Sequence, residues 1–397
     1  MPPAPEPPSS PAGESRQAPM LIDRYITRAQ VNAFMVVFVS LAGLYVVFDA
    51  FTNMDEFSEY AAQAGGLARV LGSYYGVRLI WFFDAASPVI TLASAMFALS
   101  WLERHNELTA LLAAGIARWR IARPTLVFAA IVSIAAAVSR ETVIPAVRQA
   151  FARNAQDLAG DNRRPFAPRY DNATEILFRG GHFQAGPMRI EVPSLVLPKH
   201  FQGNDYGHQI DAAEAVWRPA GPDHPAGYLL SGVGEPAEID SLPRLESAGR
   251  PAVITRATAA WLEPRQCFVC SDVTFEQLCG DENWSHYSAT PDLIAALQNP
   301  ALGMGAKVPL RIHARFTAPF LDMALTLLGI PLVLGPIRRG VFVAVGQCVL
   351  MTIVFFLVVM GCHALAGADV LGPAAAAWLP LLILGPLAAW RAQPMWQ

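Results

Sequence analysis

Three cysteines and one histidine form a group whose residue types allow metal or thiol chemistry. Cys267 and Cys270 are separated by two residues, Cys279 follows them, and His286 lies beyond. Thiolates and an imidazole at such spacing can bind zinc. Paired thiols can instead form a disulfide or take part in redox chemistry. The spacing therefore leaves a local disulfide, free thiols, a zinc site and a redox site as alternatives.

Two carboxylates, Asp84 and Asp322, lie within long apolar segments. An ionisable side chain inside a membrane is costly, so it indicates a function by default. Each lies about two turns inside one end of its segment, where a carboxylate still reaches water. Arg315 precedes Asp322 on the same helix face, so the two can pair. We predict either a structural role or a position on a polar path through the protein.

The segment 103–123 carries a different pattern, which is that of a short helix able to dock on a partner. Glu103 and Glu107 lie near its start, and Gly115 is expected to end the helix. Its apolar residues form one stripe at helical spacing: Leu108, Leu111 and Leu112. Such a stripe is typical of a helix that binds in a groove. A loop helix surrounded by solvent explains the spacing equally well.

The composition indicates the class of protein in which these cysteines, carboxylates and the short helix occur. The chain of 397 residues is 53% hydrophobic and 15% charged, whereas about 25% is usual for soluble proteins. A net charge of -3 gives no sign of a nucleic-acid partner. Lysine occurs only at Lys199 and Lys307, and neither follows a glycine. A phosphate-binding loop for ATP needs Gly-Lys, so we expect no cofactor and no ATP hydrolysis by this chain.

Six apolar windows are long enough to cross a bilayer, which needs roughly 20 residues each. The windows are 31–48, 79–101, 121–139, 316–337, 341–365 and 370–390. They divide the chain into four predicted parts: a Pro-rich disordered tail (1–20), three spans (21–140), a soluble domain (141–310) and three further spans (311–397). The tail has seven prolines and no basic start with an apolar centre, so the first span is expected to remain as an anchor.

The orientation follows from the arginines of the short loops, since cytoplasmic loops are enriched in basic residues. The basic side carries Arg16, Arg24, Arg28, Arg104, Arg118, Arg120, Arg123, Arg338, Arg339 and Arg391. The opposite side carries Asp49, Asp55, Glu56, Glu59 and Asp369 against Arg69. Both termini are therefore predicted to be cytoplasmic and the soluble domain external. An external compartment is oxidising, which favours a disulfide or free thiols over a metal.

The soluble domain is predicted to be all-β, either a sandwich or a jelly roll. Strand-forming runs occur at 175–178, 189–197, 209–217, 228–233 and 252–262, with Gly and Pro clusters between them. A short helix is expected at 291–298, with Thr290 as its N-cap. The fold class predicted from sequence is thus a membrane protein with six transmembrane helices, three on each side of an inserted β domain.

Short motifs in one order along the chain resemble the LptF/LptG family of lipopolysaccharide export permeases. The motifs are Leu-Ile-Asp-Arg-Tyr-Ile at 21–26, Asn-Glu-Leu at 106–108, Ala-Ala-Gly at 113–115, Arg-x-Arg-x-x-Arg-Pro at 118–124, Arg-Phe-x-x-Pro at 315–319, Ile-Pro-Leu at 330–332, Arg-Arg-Gly at 338–340 and Ala-Trp-Leu-Pro at 377–380. The resemblance runs from about residue 21 to residue 390 and is weak within the external domain.

The resemblance implies a subunit of an ABC exporter in the bacterial inner membrane. Its expected partners are a cytoplasmic ATPase dimer that alone binds ATP, a second permease (a paralogue or another copy) and a periplasmic bridge that receives a glycolipid through the jelly-roll domain. The segment 103–115 would be the coupling helix. Some members carry lysines near the outer part of span 1, whereas this chain offers Arg69 and Arg78 there.

Two other functions fit parts of the pattern. One is a membrane-anchored sensor or assembly scaffold that binds through the external domain. The other is a membrane enzyme using the cysteine group or the intramembrane carboxylates. Six spans and a docking-like loop favour transport, because a sensor usually needs one or two spans and an enzyme needs a convergent polar group.

Overall fold

The computed structural model describes residues 14–151, 155, 158, 164–184, 187–201, 206–222, 224–247, 249–279, 284–299, 301–302, 305–335 and 341–395. It divides into two compact units. The helical unit contains Met1–Asp49, Leu79–Ser139 and His313–Gln397. The β unit contains Ala50–Arg78 and Arg140–Ile312. The predicted Arg-Arg-Gly motif at 338–340 lies outside the described residues.

Among the described residues, six helices are long and apolar enough to cross a membrane, which confirms the predicted number. They are α1 (Glu14–Thr52), α3 (Leu67–Arg104), α5 (Arg118–Glu141), α11 (Lys307–Leu334), α12 (Val341–Gly367) and α13 (Pro373–Ala392). A helix satisfies its backbone hydrogen bonds internally, as a lipid environment requires. Because α1 begins at Glu14, the last residues of the predicted disordered tail are helical, which corrects that prediction.

Short helices connect or flank these spans. They are α2 (Met54–Ala64), α4 (Glu107–Ala113), α6 (Val143–Ala146), α7 (Arg148–Phe151), α8 (Phe275–Cys279), α9 (Trp284–Tyr287) and α10 (Thr290–Gln298). The helix α10 was predicted, but Thr290 is its first residue and not its N-cap. The Thr290 amide and hydroxyl instead donate to the Glu141 carboxylate, at 2.8 and 2.7 Å.

The β unit contains two antiparallel sheets with a shared core, in agreement with the predicted fold class. Their twelve strands are β1 (Arg164–Pro165), β2 (Arg169–Asp171), β3 (Ile176–Arg179), β4 (His182–Gln184), β5 (Arg189–Glu191), β6 (Ser194–Val196), β7 (Gln209–Asp211), β8 (Glu214–Arg218), β9 (Gly227–Ser231), β10 (Leu245–Ser247), β11 (Arg250–Thr255) and β12 (Gln266–Cys270). The larger sheet has the order β1-β4-β5-β8-β9-β12-β11-β10, and the smaller one β2-β3-β6-β7.

Successive residues along the strands of the larger sheet lie alternately on its inner and outer faces. On β9, Tyr228 and Leu230 are fully buried in the core shared with the smaller sheet. Leu229 points the other way and packs in a separate cluster with Phe268. Successive side chains of a strand point to opposite faces, so both faces of β9 and β12 are covered by apolar groups.

The strand β12 explains one failure of the sequence-based prediction. Four of its five residues are buried and none is exposed, so the run does not alternate between apolar and polar residues. A short, fully apolar run cannot be recognised as a strand by period alone. The predicted run 252–262 was also too long, because β11 ends at Thr255 and a turn follows.

Candidate functional site

The segment expected to dock on a partner contains a break that the sequence did not reveal. The long helix α3 continues to Arg104, so Glu103 belongs to a membrane-spanning helix and not to α4. Asn106 then takes a left-handed conformation with φ 60°, and α4 begins at Glu107. Asparagine tolerates this conformation better than most residues do. The continuous helix predicted from Glu103 to Gly115 is therefore two helices.

Gly115 ends α4 as predicted. Its φ of 80° is left-handed, a conformation that glycine adopts without steric cost. The Gly115 N–H donates to the Leu112 carbonyl at 3.0 Å, and the Ile116 N–H donates to the Leu111 carbonyl at 3.1 Å. These two bonds are the Schellman arrangement that satisfies the last carbonyls of a helix. The end of α4 is thus set by local backbone hydrogen bonds.

The leucine stripe of α4 faces the chain's own core, which corrects the face assigned to a partner. Leu108 is 7% exposed and belongs to the apolar core of the helical unit. Leu111 and Leu112 are partly buried against the same core. Their burial anchors α4 on the bundle, at about 25 cal/mol for each Å² of apolar surface removed from water.

The outward face of α4 carries small side chains. Thr109, Ala110 and Ala113 are exposed. Side chains of this size allow another backbone to approach closely, as small residues do in packed helix pairs. A partner that binds α4 would therefore meet a shallow, mostly apolar surface with Glu107 at its beginning.

Glu107 is held in place by Tyr25 on α1. The Tyr25 hydroxyl lies 3.2 and 3.0 Å from the two carboxylate oxygens of Glu107 and donates to them. A carboxylate in the first turn also interacts favourably with the partial positive charge of a helix N-terminus. The contact joins two of the family-like motifs, 21–26 and 106–108, although they are far apart in the sequence.

The two intramembrane carboxylates have different surroundings. The Ser133 hydroxyl on α5 donates to Asp322 Oδ2 on α11 at 2.8 Å. Ser133 is 4% exposed, so this bond lies within the bundle and fastens two spans together. Asp84 on α3 is partly buried. Sequence reasoning missed Ser133, because an isolated serine in an apolar run gives no signal.

We expect Asp322→Leu to destabilise the purified full-length chain by about 1 to 3 kcal/mol, since it leaves the Ser133 hydroxyl without this acceptor in an apolar environment. Asp322→Asn keeps an acceptor oxygen and should cost less. Thermal unfolding in one detergent measures both. Ser133→Ala, alone and combined with Asp322→Leu, is the control. If the two effects are simply additive, the bond makes no contribution.

Uncharged polar groups also lie inside the helical unit. Gln30 on α1, Thr91 on α3 and Thr125 on α5 are 0%, 3% and 0% exposed. Within the described part of the chain, their side-chain amide and hydroxyl atoms have no hydrogen-bond partner. Such groups usually bind a buried water or pair in another conformation. A search for charged residues does not find these groups, because they are uncharged. Gln and Thr also occur in ordinary spans, so their presence alone gives no signal.

The two cations near the outer part of span 1, which are candidates for the substrate path, belong to residues 50–78 of the β unit. The Arg78 guanidinium lies 3.7 Å from the centre of the Tyr74 ring, a cation–π contact. Tyr74 packs in turn against Phe57 and Tyr75. Arg69 is exposed. Arg78 is thus positioned by an aromatic cluster, whereas Arg69 lies on the surface; their role in binding remains a prediction.

The cysteine group is a set of buried free thiols. Cys267 packs in the shared core of the two sheets, whereas Cys270 packs in the cluster on the other side of β12. An odd separation along a strand places side chains on opposite faces, so these two cannot form a local disulfide. Cys279 is also buried and unpaired with another cysteine. The sequence left a local disulfide or free thiols as the favoured reading, and the structure shows free thiols.

The same geometry argues against a zinc site that uses both Cys267 and Cys270, because their side chains lie on opposite faces of β12. No group of three or more His, Cys, Asp or Glu residues suited to a metal occurs in the described part of the chain. His286 Nε2 lies 2.6 Å from the Arg311 guanidinium. An arginine donor at that nitrogen occupies the lone pair that a metal would need.

We expect Cys267 and Cys270 to resist maleimide labelling in the folded protein near neutral pH. Burial raises the pKa of each thiol to about 12, so the nucleophilic thiolate is scarce as well as inaccessible. Labelling of the full chain before and after denaturation, read by mass spectrometry, checks this. Rapid labelling of either residue in the folded protein would contradict the assigned burial.

Comparison with known proteins adds an independent finding to this geometry. A family model described as lipopolysaccharide export system permease LptF/LptG matches residues 24–181 and 271–393. The two segments cover more than half of the chain and include Tyr25, α4 and Asp322. The unmatched stretch between them is the middle of the β unit. A search of curated proteins found no match.

Proposed function

This chain belongs to the LptF/LptG family of lipopolysaccharide export permeases, and we propose that it is one half of a two-permease exporter driven by a separate ATPase. As a family member it is a multi-pass inner membrane protein and a permease subunit, not itself an enzyme. The further steps proposed are extraction of lipopolysaccharide or a related glycolipid from the outer leaflet and its transfer to a periplasmic bridge.

The position of α4 is the observation that carries the proposal. Its leucines fasten it to the core, Tyr25 holds Glu107, and its small side chains face outward. A helix fixed on a bundle transmits force better than a flexible loop, because movement of the partner moves the spans attached to it. We assign this surface to docking of a cytoplasmic ATPase dimer, with both termini on the same side of the membrane.

The exposed apolar faces of α1 and α12 support pairing with a second permease. Only 17% of the most apolar window of each helix is buried, against 61% for α11. Both helices therefore present continuous apolar surface outside the bundle. In the proposed exporter, this surface borders a cavity between two permeases and contacts the acyl chains of the lipid. Whether the second permease is a paralogue or another copy does not alter this role.

The β unit is proposed to receive the lipid and pass it to the bridge. Its two sheets enclose an apolar core, and β7 and β10 lie at sheet edges. Edge strands carry unpaired backbone groups that can accept a strand from another protein. Lifting a lipid out of a bilayer costs roughly 0.8 kcal/mol for each CH₂ that leaves the acyl region, so an ATPase must supply work.

Co-purification tests the proposal directly. The full-length chain is produced with an LptF/LptG-type partner permease and the ATPase, purified by a tag on this chain and placed in proteoliposomes. We expect the ATPase to co-purify and its activity to increase when lipopolysaccharide is added. If the chain recovers no ATPase, or if hydrolysis does not respond to any glycolipid, the exporter assignment fails.

A further inference from the structure

A large apolar groove in the helical unit has no part in the proposed export path. Its volume is about 780 Å³, within the range of roughly 300 to 1,000 Å³ found for ligand sites. Three spans form its walls: α5, α11 and α13. Its principal lining residues are Trp119, Leu126, Phe320, Leu327, Leu381 and Gly385.

Small residues on α13 create this groove. Gly385, Ala388 and Ala392 recur at helical spacing and all line it. Outside its two sequence neighbours and the local helix backbone, the nearest heavy atom to a methyl group added at Gly385 is Leu381 Cδ1, at 3.9 Å. The space beside Gly385 is therefore open, and the lining residues on α13 run from Leu381 to Ala392, about 16 Å at 1.5 Å per residue.

A cation lies on the same helix face as the groove wall. Arg123 follows Trp119 by four residues and precedes Leu126 by three, so all three lie on one face of α5. Arg123 is exposed, and no ion pair among the described residues involves it. An apolar trough with an available guanidinium beside one end matches an amphiphile that has an anionic head.

The polar end of the groove lies at the beginning of α5 and the end of α13. Trp119 is in the first turn of α5, and Gln393 follows the last residue of α13. Tryptophan prefers the boundary between lipid and water. This boundary is the cytoplasmic one in the topology of the proposed function. The choice of leaflet therefore rests on that proposed function.

We propose that this groove binds an acyl chain of an anionic phospholipid of the cytoplasmic leaflet, with the phosphate at Arg123. Basic sites between spans on that side commonly bind such headgroups. The glycolipid cargo is a poorer occupant, because it is extracted from the opposite leaflet. A second permease is also a poorer occupant, because only 17% of the most apolar window of α1 and of α12 is buried, whereas the corresponding shares for the groove helices α5, α11 and α13 are 44%, 61% and 28%.

Lipid titration of the purified full-length chain tests the proposal. The delipidated protein is titrated with phosphatidylglycerol or phosphatidylcholine in detergent, and native mass spectrometry counts the lipids bound. We expect one phosphatidylglycerol molecule to bind more tightly than phosphatidylcholine. Gly385→Leu fills the groove and should weaken phosphatidylglycerol binding about tenfold or more, because several CH₂ groups lose their place.

Arg123→Gln tests the proposed headgroup contact independently of the acyl-chain contact. It removes one charge at an exposed position and should weaken phosphatidylglycerol binding about fivefold, with no effect on phosphatidylcholine. The matched controls are Gly72→Leu at an exposed position on α3, where an added Cβ has nothing within 4 Å outside its neighbours and the local helix backbone, and Arg28→Gln at an exposed position on α1. Both controls should bind lipid like the wild type.

Several results would overturn the proposal. They are equal binding of the two lipids, unchanged binding by both groove variants, equal losses in the controls, and displacement of phosphatidylglycerol by lipopolysaccharide at equal concentration. Cross-linking of Gly385→Cys to a second permease would show that protein covers the groove. If Gly385→Leu does not fold, the Arg123→Gln result decides. Lipid binding by the isolated chain needs no ATPase, so failure of the exporter assignment would be seen separately.

Discussion

Glu107→Arg is expected to reduce recovery of the ATPase with this chain about tenfold, which corresponds to roughly 1.4 kcal/mol of binding free energy. The substitution reverses the charge at the start of the proposed docking surface. It also replaces the acceptor of the Tyr25 hydroxyl, whose two contacts are 3.0 and 3.2 Å long. The measurement is the ratio of ATPase to permease after affinity purification, followed by lipid-stimulated hydrolysis.

Two further variants distinguish the effect of the Glu107 charge from the effect of holding α4 in place. Tyr25→Phe removes the internal hydrogen bond and keeps the negative charge, whereas Glu107→Gln keeps an acceptor and removes the charge. A loss shared by Tyr25→Phe and Glu107→Arg indicates that α4 must be held in place. A loss in Glu107→Gln without one in Tyr25→Phe indicates that the ATPase recognises the carboxylate itself.

Glu56→Arg is the matched control for this experiment. Glu56 also lies in the first turn of a short helix, α2, and is partly exposed as Glu107 is. The same charge reversal there should leave ATPase recovery unchanged, because α2 belongs to the β unit and not to the docking surface. Wild-type recovery in Glu107→Arg would refute the role given to α4.

Gly227→Ala is expected to destabilise the β unit by about 3 kcal/mol or more, at the upper end of the usual cost of overpacking. A Cβ at Gly227 would lie 2.2 Å from the Val269 carbonyl oxygen and 2.8 Å from Phe268 Cε1. The carbonyl belongs to the backbone of β12, which is paired with β9 at this position. A backbone atom between two sheet neighbours cannot rotate away, so strands must separate.

Gly234→Ala provides the control, because nothing lies within 4 Å of its added methyl group. Both variants make the same chemical change in the same unit, so they differ only in the space available. Limited proteolysis and thermal unfolding of the full chain should show early loss of the β unit in Gly227→Ala alone. Equal stability of the two variants would mean that β9 and β12 are not paired as described.

The fold was predictable from sequence to the extent that its signals were local. The six spans follow from apolar length. Seven of the twelve strands overlap the predicted runs, but the runs 189–197 and 209–217 each contain two strands. The central strand β12 was missed because both of its faces are buried. The break at Asn106 was missed because its left-handed backbone depends on one residue inside a strongly helix-forming stretch.

The candidate site was less predictable, since it depends on contacts between distant residues. The leucine stripe of α4 was correctly recognised as apolar, but its spacing cannot say whether a partner or the chain itself covers it. The structure shows Leu108 in the internal core, which moves the proposed partner surface to Thr109, Ala110 and Ala113. In the same way, Cys267 and Cys270 are close in sequence and yet separated by the sheet.

By itself, the sequence determined that the chain is a six-span membrane protein with an inserted β domain, because apolar length and residue period are properties of short segments. Its ordered motifs also indicated the permease family. Only the tertiary structure decided what the chemically capable residues contact: Tyr25 with Glu107, Ser133 with Asp322, and each thiol with apolar neighbours. Burial and pairing depend on which segments pack together, and that information is not contained in any one of them.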